Sequence, residues 1–322
     1  MSSRSKNRLS TRKLILLGGG TFSFFVFLAV TLFLCIQIFF PERPNRKSDV
    51  YSVISTDESK WNVTELEQNF HGVHTKGKVV TPSVKSNCAA LLIHGYKSNH
   101  VHILKYAPIF LELGCSIYAF DLPAHGEAEG DILTWGKHEL PFLKEGLDLI
   151  KKRETSNARI GIFGESLGGA LAIQLAGEPD VKYVISDSSY SRIKDIFLFQ
   201  GIKRYGELTR WFLEPAMFVA SRAVGVAFSK YSPVSHVDKV KIPLLVIHSE
   251  TDEFTPFSHY TELKKTSENN PNVKFIATTW GALHGKSFQT NKKEYASFVT
   301  SFIRSSFSQV RTSVDTSSQV IR

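Results

Sequence analysis

Short apolar runs alternate with stretches of helical period along much of this chain, and one junction between the two carries a serine. Residues 160–163 are apolar and partly β-branched, which is typical of a strand buried on both faces. From Leu167 the apolar positions recur every three or four residues, which predicts a helix packed on that strand. Ser166 lies at the junction, between Gly164 and Gly168. Because a sharp strand-to-helix turn leaves little room for side chains, this G-x-S-x-G pattern predicts a serine hydroxyl presented at the mouth of a parallel sheet.

Two later apolar runs end in groups that suit nucleophilic catalysis. The predicted strand 242–247 is followed by a polar loop with Asp252, and the predicted strand 273–279 is followed by a loop with His284. A hydroxyl is a weak nucleophile, so it needs a base and a group that orients the base. We expect His284 to take the proton of Ser166 and to return it to the leaving group. Asp252 would fix the tautomer of His284 and stabilise the imidazolium.

Two backbone amides are expected to bind an oxyanion. The stretch "CAALLIHGYKSN" predicts a strand that ends at His94-Gly95, which brings the amide of Tyr96 beside the amide of Leu167. Asp187, at the end of the predicted strand "VKYVISD", stays an alternative for the catalytic acid.

The remaining histidines and Asp121 are interpreted as structural or surface groups. We expect Asp121 and His125 to organise the loop "DLPAHG", His94 to be structural and His248 to end a strand near the acid. The surface histidines are expected to be His100, His102 and His236. No spacing typical of metal ligands occurs, so neither a metal nor a cofactor is predicted.

Five motifs together resemble the α/β-hydrolase superfamily over residues 79–303. They are "HGYKSN", "FDLPAHGEAEG", "GESLGG", "HSETDEFTP" and "LHGKSF", in the order of that superfamily. The set is most similar to serine-aminopeptidase-like and Bem46-like esterases. The resemblance implies an α/β fold with a mostly parallel sheet of about eight strands, flanked by helices, and serine hydrolase activity.

The predicted hydrolase domain covers residues 61–306. Its first strands extend to about Ser83, with a turn near Gly77. Residues 188–240 exceed the usual connection in an α/β fold and have helical spacing, which predicts a cap over the serine. We expect about half of its aromatic residues to line the acyl pocket and the others to pack the cap. Those residues are Phe197, Phe199, Trp211, Phe212, Phe218 and Phe228.

The N-terminal part predicts a membrane anchor. The net charge is +9, but the first thirteen residues hold five basic residues and no acid, so the surplus flanks an apolar run and does not indicate nucleic-acid binding. Residues 14–40 contain no charge, and a run of that length exceeds the roughly 20 residues that span a bilayer. A cleaved signal peptide is the alternative, but no A-x-A-like site follows. Residues 41–60 are expected to be a linker, and residues 307–322 a flexible tail.

The basic residues before the predicted span favour a cytosolic N-terminus and a lumenal or extracellular hydrolase. Asn62 begins a glycosylation sequon on that side.

Cys88 and Cys115 each lie six residues before the end of a predicted strand, and these strands are neighbours in the α/β-hydrolase order. Equal offsets place them at the same level, within reach of a disulfide. Simple proximity without a bond stays open, because a cysteine is often a small buried hydrophobe.

The sequence predicts a membrane-anchored serine hydrolase that cleaves a small ester with an apolar acyl or aryl part, including lipid-derived esters. A peptidase or amidase of the same fold is one alternative, since the same triad cleaves amides. A non-catalytic binding protein is the other, and the complete set of catalytic residues argues against it.

Overall fold

The computed structural model describes the backbone of residues 11–41 and 61–317 and the side chains of residues 25–41 and 61–307. The predicted basic segment 1–13, the linker 41–60 and the end of the tail 307–322 fall outside these residues, apart from their edges. The strands β1 to β8 span Trp61–Phe70, Val73–Pro82, Cys88–Ile93, Ser116–Phe120, Arg159–Glu165, Val181–Asp187, Leu244–Ser249 and Val273–Thr278. The helices α1 to α10 span Thr11–Phe39, His100–Ile103, Ala107–Leu111, Glu139–Arg153, Leu167–Gln174, Ile193–Tyr205, Thr209–Val224, Ser258–Thr266, Ser287–Thr290 and Lys292–Ser317.

The eight strands of the described residues form one sheet in the order β1-β2-β4-β3-β5-β6-β7-β8. β2 pairs antiparallel with β1 and β4, and the pairs from β4 through β8 are parallel. β3 and β7 are buried along their whole length, because helices cover both faces of the parallel part. The predicted mostly parallel sheet of about eight strands with flanking helices is therefore confirmed.

Two apolar layers hold the helices on the sheet. Helices α4 and α5 pack on one face through residues that include Phe142 and Leu171. Helices α3 and α10 pack on the other face through residues that include Phe110 and Phe302. The carboxyl ends of β5, β6 and β7 therefore meet at one edge of a rigid scaffold, where a doubly covered sheet places its functional loops.

The predicted turn near Gly77 is wrong. Gly77 lies within β2, and the turn between β1 and β2 is formed by His71 and Gly72, which both have positive φ. Gly77 is needed for a different reason, because a Cβ there would lie 2.3 Å from the carbonyl oxygen of Ala119 on β4. The glycine thus permits a close approach of two strands.

The segment between β6 and β7 folds into α6 and α7, followed by two 3₁₀ turns at Pro233–Ser235 and Val237–Lys239. We call α6 and α7 the cap helices. Helix α1 packs against α7, where the rings of Phe27 and Phe212 lie 5.2 Å apart between centroids. Helix α1 thereby belongs to the same face of the molecule as the cap helices.

The two chain ends differ in how far the structure tests their predictions. Within the described part of the chain, no helix has both the length and the apolar character needed to cross a bilayer. The predicted span 14–40 stays a prediction, since the side chains of residues 14–24 fall outside that part. Helix α10 continues to Ser317, past the predicted start of the tail at residue 307. An established helix adds further residues at little cost, even where serine and threonine are frequent.

A disulfide joins Cys88 at the start of β3 to Cys115 just before β4, with Cα atoms 4.4 Å apart. The two strands are parallel neighbours, and Ala89 pairs with Ser116. The predicted placement of Cys88 and Cys115 at the same level of the two strands is therefore confirmed. The sequence left open a disulfide or simple proximity, and the structure has the disulfide.

Candidate active site

Ser166 occupies the turn between β5 and α5 with a strained backbone, φ 57° and ψ −117°. The glycines around it permit the turn. A Cβ on Gly164 would lie 2.1 Å from the carbonyl oxygen of Gly168, and a Cβ on Gly168 would lie 2.1 Å from the carbonyl oxygen of Ile93. Real Cβ contacts do not reach such distances, so both positions require glycine. Strain of this kind is kept where the surrounding structure enforces it, as at functional sites.

Ser166, His284 and Asp252 form one hydrogen-bonded chain. The Oγ of Ser166 lies 3.0 Å from Nε2 of His284, and Nδ1 of His284 lies 2.8 Å from Oδ2 of Asp252. The three side chains come from the loops after β5, β7 and β8. With Nδ1–H donating to the carboxylate, Nε2 is the free acceptor for the serine hydroxyl. The structure thus brings together the three residues that the sequence placed in this order.

The surroundings of Asp252 keep it ionised and oriented. Its second oxygen accepts hydrogen bonds from the amides of Phe254, at 2.9 Å, and Thr255, at 2.7 Å. Burial would raise the pKa of Asp252, but the hydrogen bond and charge of His284 outweigh it and lower that pKa. Burial would lower the pKa of His284, but Asp252 outweighs that effect and raises it.

Asp187, the alternative acid, is bound elsewhere. Its Oδ2 accepts hydrogen bonds from the hydroxyls of Tyr295, at 2.7 Å, and Tyr106, at 3.1 Å, and its Oδ1 accepts one from Ser188. Burial, followed by the charge of Glu165, raises the pKa of Asp187 to about 6. The structure therefore pairs His284 with Asp252, whereas the carboxylate of Asp187 contacts hydroxyl groups and not His284.

Sequence reasoning missed a buried charge pair beside the nucleophile. Glu165 precedes Ser166, and its carboxylate lies 2.5 Å from the ammonium of Lys105 and accepts a hydrogen bond from Tyr106 at 2.7 Å. Lys105 also donates to the carbonyl oxygen of Gly285, at 2.9 Å, next to His284. Burial would raise the pKa of Glu165, but Lys105 outweighs it and lowers that pKa. The available signal was an acid at the end of a buried strand, which needs a partner.

The predicted oxyanion amides lie on the two segments that flank Ser166. A Cβ on Gly95 would lie 3.2 Å from Cβ of Ser166, so the backbone before Tyr96 approaches the nucleophile closely. Leu167 is the first residue of α5, where backbone N–H groups have no partner within the helix. His94 fixes the other segment, since its Nδ1–H donates to the carbonyl oxygen of Gly95 at 2.8 Å. Its Nε2 accepts from the amide of Leu122 at 2.9 Å.

Asp121 organises its loop as predicted, but one of its partners was assigned wrongly. Its carboxylate accepts hydrogen bonds from the amides of His100, at 2.6 Å, and Glu127, at 2.8 Å. His100 was expected at the surface, yet it is buried with its Nδ1 2.9 Å from Asp121. Helix α2 begins at His100, and this start directs its amide and ring toward the carboxylate.

A cavity of about 450 Å³ opens above Ser166 and His284. Its apolar and aromatic lining comes from α1, from the cap helices, from the two segments that flank Ser166 and from the loops that carry Trp135, Tyr190 and Phe254. These residues are Leu34, Ile38, Tyr96, Trp135, Leu167, Tyr190, Ile196, Phe197, Tyr205, Leu213 and Phe254. Of the six cap aromatics that the sequence singled out, only Phe197 lines this cavity. Trp211 and Phe218 are exposed instead. Helix α1 contributes Leu34, Gln37 and Ile38 to the lining. Among the described side chains, no group of His, Cys, Asp or Glu is arranged to hold a metal.

Known proteins share this fold. A Pyrococcus furiosus esterase, Pf2001, superimposes with a TM-score of 0.64 at 23% identity, over 82% of this chain and 98% of its own. An acylaminoacyl peptidase from Pyrococcus horikoshii gives a TM-score of 0.59 at 17% identity, over 80% of this chain and 43% of its own. The curated protein YqkD of Bacillus subtilis, described as uncharacterized, is 29% identical over 237 residues, 72% of this chain and 76% of its own.

Fold and sequence define the class: this protein is a serine hydrolase of the α/β-hydrolase superfamily, as the motifs predicted. Within that class the chain belongs to the prolyl oligopeptidase family, whose sequence model matches residues 133–309. The matched residues begin after the oxyanion loop and include Ser166, Asp252 and His284.

Proposed function

We propose that this protein hydrolyses carboxylic esters with an apolar acyl part, and that Ser166, His284 and Asp252 are its catalytic triad. One observation carries the proposal. The hydroxyl of Ser166, 3.0 Å from a histidine that is itself 2.8 Å from a buried carboxylate, opens into an apolar cavity of about 450 Å³. Ligand sites of this kind combine an apolar lining with a few polar groups that fix orientation.

In the first half of the reaction, Nε2 of His284 takes the proton of Ser166 as Oγ attacks the ester carbonyl carbon. The negative charge that develops on the carbonyl oxygen is stabilised by the amides of Tyr96 and Leu167. The imidazolium is stabilised by Asp252. His284 then gives its proton to the alkoxy leaving group, and the acyl group stays on Ser166.

In the second half, a water molecule takes the place of the alcohol. His284 accepts a proton from this water while the water oxygen attacks the acyl carbon, and the same two amides stabilise the second oxyanion. The C–O bond to Ser166 breaks, His284 returns the proton to Oγ, and the carboxylic acid leaves.

Labelling with a fluorophosphonate tests the nucleophile, and a panel of p-nitrophenyl esters tests the reaction. We expect the unmodified chain to be labelled at Ser166 and to turn over esters, and Ser166→Ala to lose both while it stays folded. Removal of a triad member leaves only the residual catalysis of the oxyanion site and of binding. Ester turnover by Ser166→Ala at the rate of the unmodified chain would refute the assignment.

A peptidase or amidase is the second candidate, and the family match favours it. The same triad cleaves amides, so the discriminating measurement compares kcat/KM for an ester and an anilide of the same acid. A preference for the anilide would replace the ester proposal. A chain that reacts with neither substrate nor probe would be a non-catalytic binding protein.

We further propose that residues 14–40 hold the enzyme in a membrane, with the N-terminus cytosolic, the hydrolase on the other side and the last turns of α1 packed on the hydrolase at the membrane surface. The span has no charged residue, and α1 exposes apolar side chains that include Phe25, Leu32, Phe33 and Ile36. Lipid-derived esters would then be within reach of the cavity. Carbonate extraction of membranes is the test. Retention in the membrane supports the proposal, and a soluble form that begins after Phe40 contradicts it.

A further inference from the structure

The C-terminal turns of α1 are docked on the hydrolase body and not only on the cap helix α7. The indole N–H of Trp135 donates to the carbonyl oxygen of Ile38 at 2.9 Å, and the amide of Leu133 donates to the carbonyl oxygen of Phe39 at 2.8 Å. On the α7 side, the thiol of Cys35 donates to the carbonyl oxygen of Ala216 at 3.1 Å. Contacts on both sides fix the rotation of the helix about its axis.

This rotation directs one stripe of α1 into the cavity above Ser166. Leu34, Gln37 and Ile38 line the cavity, and their spacing of three and four residues places them on one helix face. Ile38 is 4% exposed, whereas Ile36 on the outer face is 52% exposed. The same helix thus presents one isoleucine to the cavity and another to the outside.

The part of the cavity wall that α1 and α7 form is aliphatic, because its apolar residues are Leu34, Ile38 and Leu213. Rings line other parts of the cavity. Trp135 contacts Tyr190 and Phe197 edge-on at centroid distances of 6.3 and 4.7 Å, and the remaining tyrosine and phenylalanine rings are those of Tyr96, Tyr205 and Phe254. A flexible hydrocarbon chain can follow the aliphatic part of the wall, and burial of each methylene contributes about 0.8 kcal/mol.

We propose that the last two turns of α1 are the wall against which the acyl chain of the substrate lies, and that Leu34 and Ile38 set its length. The substrate class is then an ester of a linear aliphatic acid. This inference rests on the proposed ester hydrolysis at Ser166. It places a specificity determinant about a hundred residues ahead of the segment that matches the family.

The test uses full-length chains with Leu34→Trp or Ile38→Trp, and Ile36→Trp as the matched control. The measured quantity is the ratio of kcat/KM for p-nitrophenyl decanoate to that for p-nitrophenyl acetate. An indole in the cavity excludes a long chain, whereas acetate needs only the end beside Ser166. Since one methylene in an apolar pocket changes discrimination by roughly 10- to 200-fold, we expect both ratios to fall at least about tenfold. The control ratio should stay within about twofold, because an exposed position far from the reaction has little effect.

An unchanged ratio in Leu34→Trp and Ile38→Trp would overturn the inference. Labelling by a small fluorophosphonate shows whether each variant keeps an intact site. If a tryptophan variant is not labelled, Leu34→Ala and Ile38→Ala carry the test, because a larger cavity should move the best substrate toward longer chains. An unmoved optimum in both would also overturn it. Failure of the ester proposal looks different, since the unmodified chain would then turn over neither ester.

Discussion

The strained backbone of Ser166, with φ 57° and ψ −117°, is held in place by the neighbouring strands. The amide of Ser166 donates to the carbonyl oxygen of Asp187 at 2.8 Å, which ties the turn to the neighbouring strand β6. The cost of such a conformation is about 1–3 kcal/mol, and the surrounding sheet offsets it.

We expect substitution of the two buried aspartates near the site to have different effects on kcat/KM. Asp252→Asn should lower kcat/KM on the order of 10⁴-fold, because an amide cannot hold His284 in the required tautomer. Asp187→Asn should leave kcat/KM within an order of magnitude, because Asp187 bonds to Tyr106 and Tyr295 and not to His284. Ester kinetics on both purified variants give the comparison. A larger loss for Asp187→Asn would move the acid of the triad to that residue.

The acid limb of the pH profile should report the environment of His284. Burial opposes its protonation, but Asp252 outweighs burial and raises its pKa. General base catalysis needs the neutral ring, so kcat/KM should fall as the pH drops through a value above the ordinary histidine pKa. In Asp252→Asn the acid limb of the residual activity should lie at a lower pH than in the unmodified chain, because the carboxylate no longer raises the pKa of His284. A limb that does not move would show that another group controls it.

At the scale of elements, three loops meet at the serine and one lysine joins two of them. Lys105 follows α2 and reaches both Glu165, at the end of β5, and the backbone of Gly285, beside His284. Gly285 has φ +62°, and a Cβ there would lie 2.9 Å from the carboxyl carbon of Glu165. Lys105, paired with Glu165, therefore fixes the position of the loop that carries His284 relative to strand β5.

Loss of this charge pair should cost stability. Both side chains are nearly buried, so Lys105→Met leaves an unpaired carboxylate and should lower the free energy of unfolding by about 3 kcal/mol or more. Adding Glu165→Gln removes that charge and should recover part of the loss. Lys286→Met changes an exposed lysine nearby and should stay within about 0.5 kcal/mol. Urea unfolding measures all three, and equal effects of the two lysine variants would contradict the buried pair.

The turn at Ser166 and the candidates for its partners were predictable from the sequence, and the buried charge pair was not. Gly164, Ser166 and Gly168 fix a turn within five residues. The order of acid and histidine along the chain favoured Asp252 and His284, with Asp187 left as an alternative acid. Lys105 meets Glu165 across sixty residues, and no pattern in a single sequence records such a pairing. His100 was assigned to the surface for the same reason, since its partner Asp121 belongs to another loop.

At the scale of the whole molecule, the sequence predicted the cap helices but not which of their residues line the cavity, because that depends on how α1 packs against them. Residues 188–240 have the helical period of α6 and α7, but that period does not say which helix faces are covered by other parts of the chain. Helix α1 covers part of α7, as the contact of Phe27 with Phe212 shows. Trp211 is 76% exposed and does not line the cavity.

The disulfide between Cys88 and Cys115 acts on the whole molecule because it restrains the unfolded chain. It closes a loop with a sequence separation of 27, so chain entropy predicts a stabilisation of about 3.5 kcal/mol. Cys88→Ala combined with Cys115→Ala should lose that amount in urea unfolding without reductant. Cys35→Ala, which removes the remaining cysteine and closes no loop, should change stability by less than about 1 kcal/mol.

Reductant separates the effect of the bond from the packing of the two sulfur atoms. Cys88 and Cys115 are fully buried, so a thiol reagent reaches them only after the chain opens, and unfolding must be measured at equilibrium in its presence. In reductant, the difference in free energy of unfolding between the unmodified chain and the double variant should become much smaller. The difference that remains measures the packing of the two sulfur atoms alone. Denatured but unreduced protein should show one reactive thiol, that of Cys35, and three after reduction. Three reactive thiols before reduction would show that Cys88 and Cys115 are not bonded.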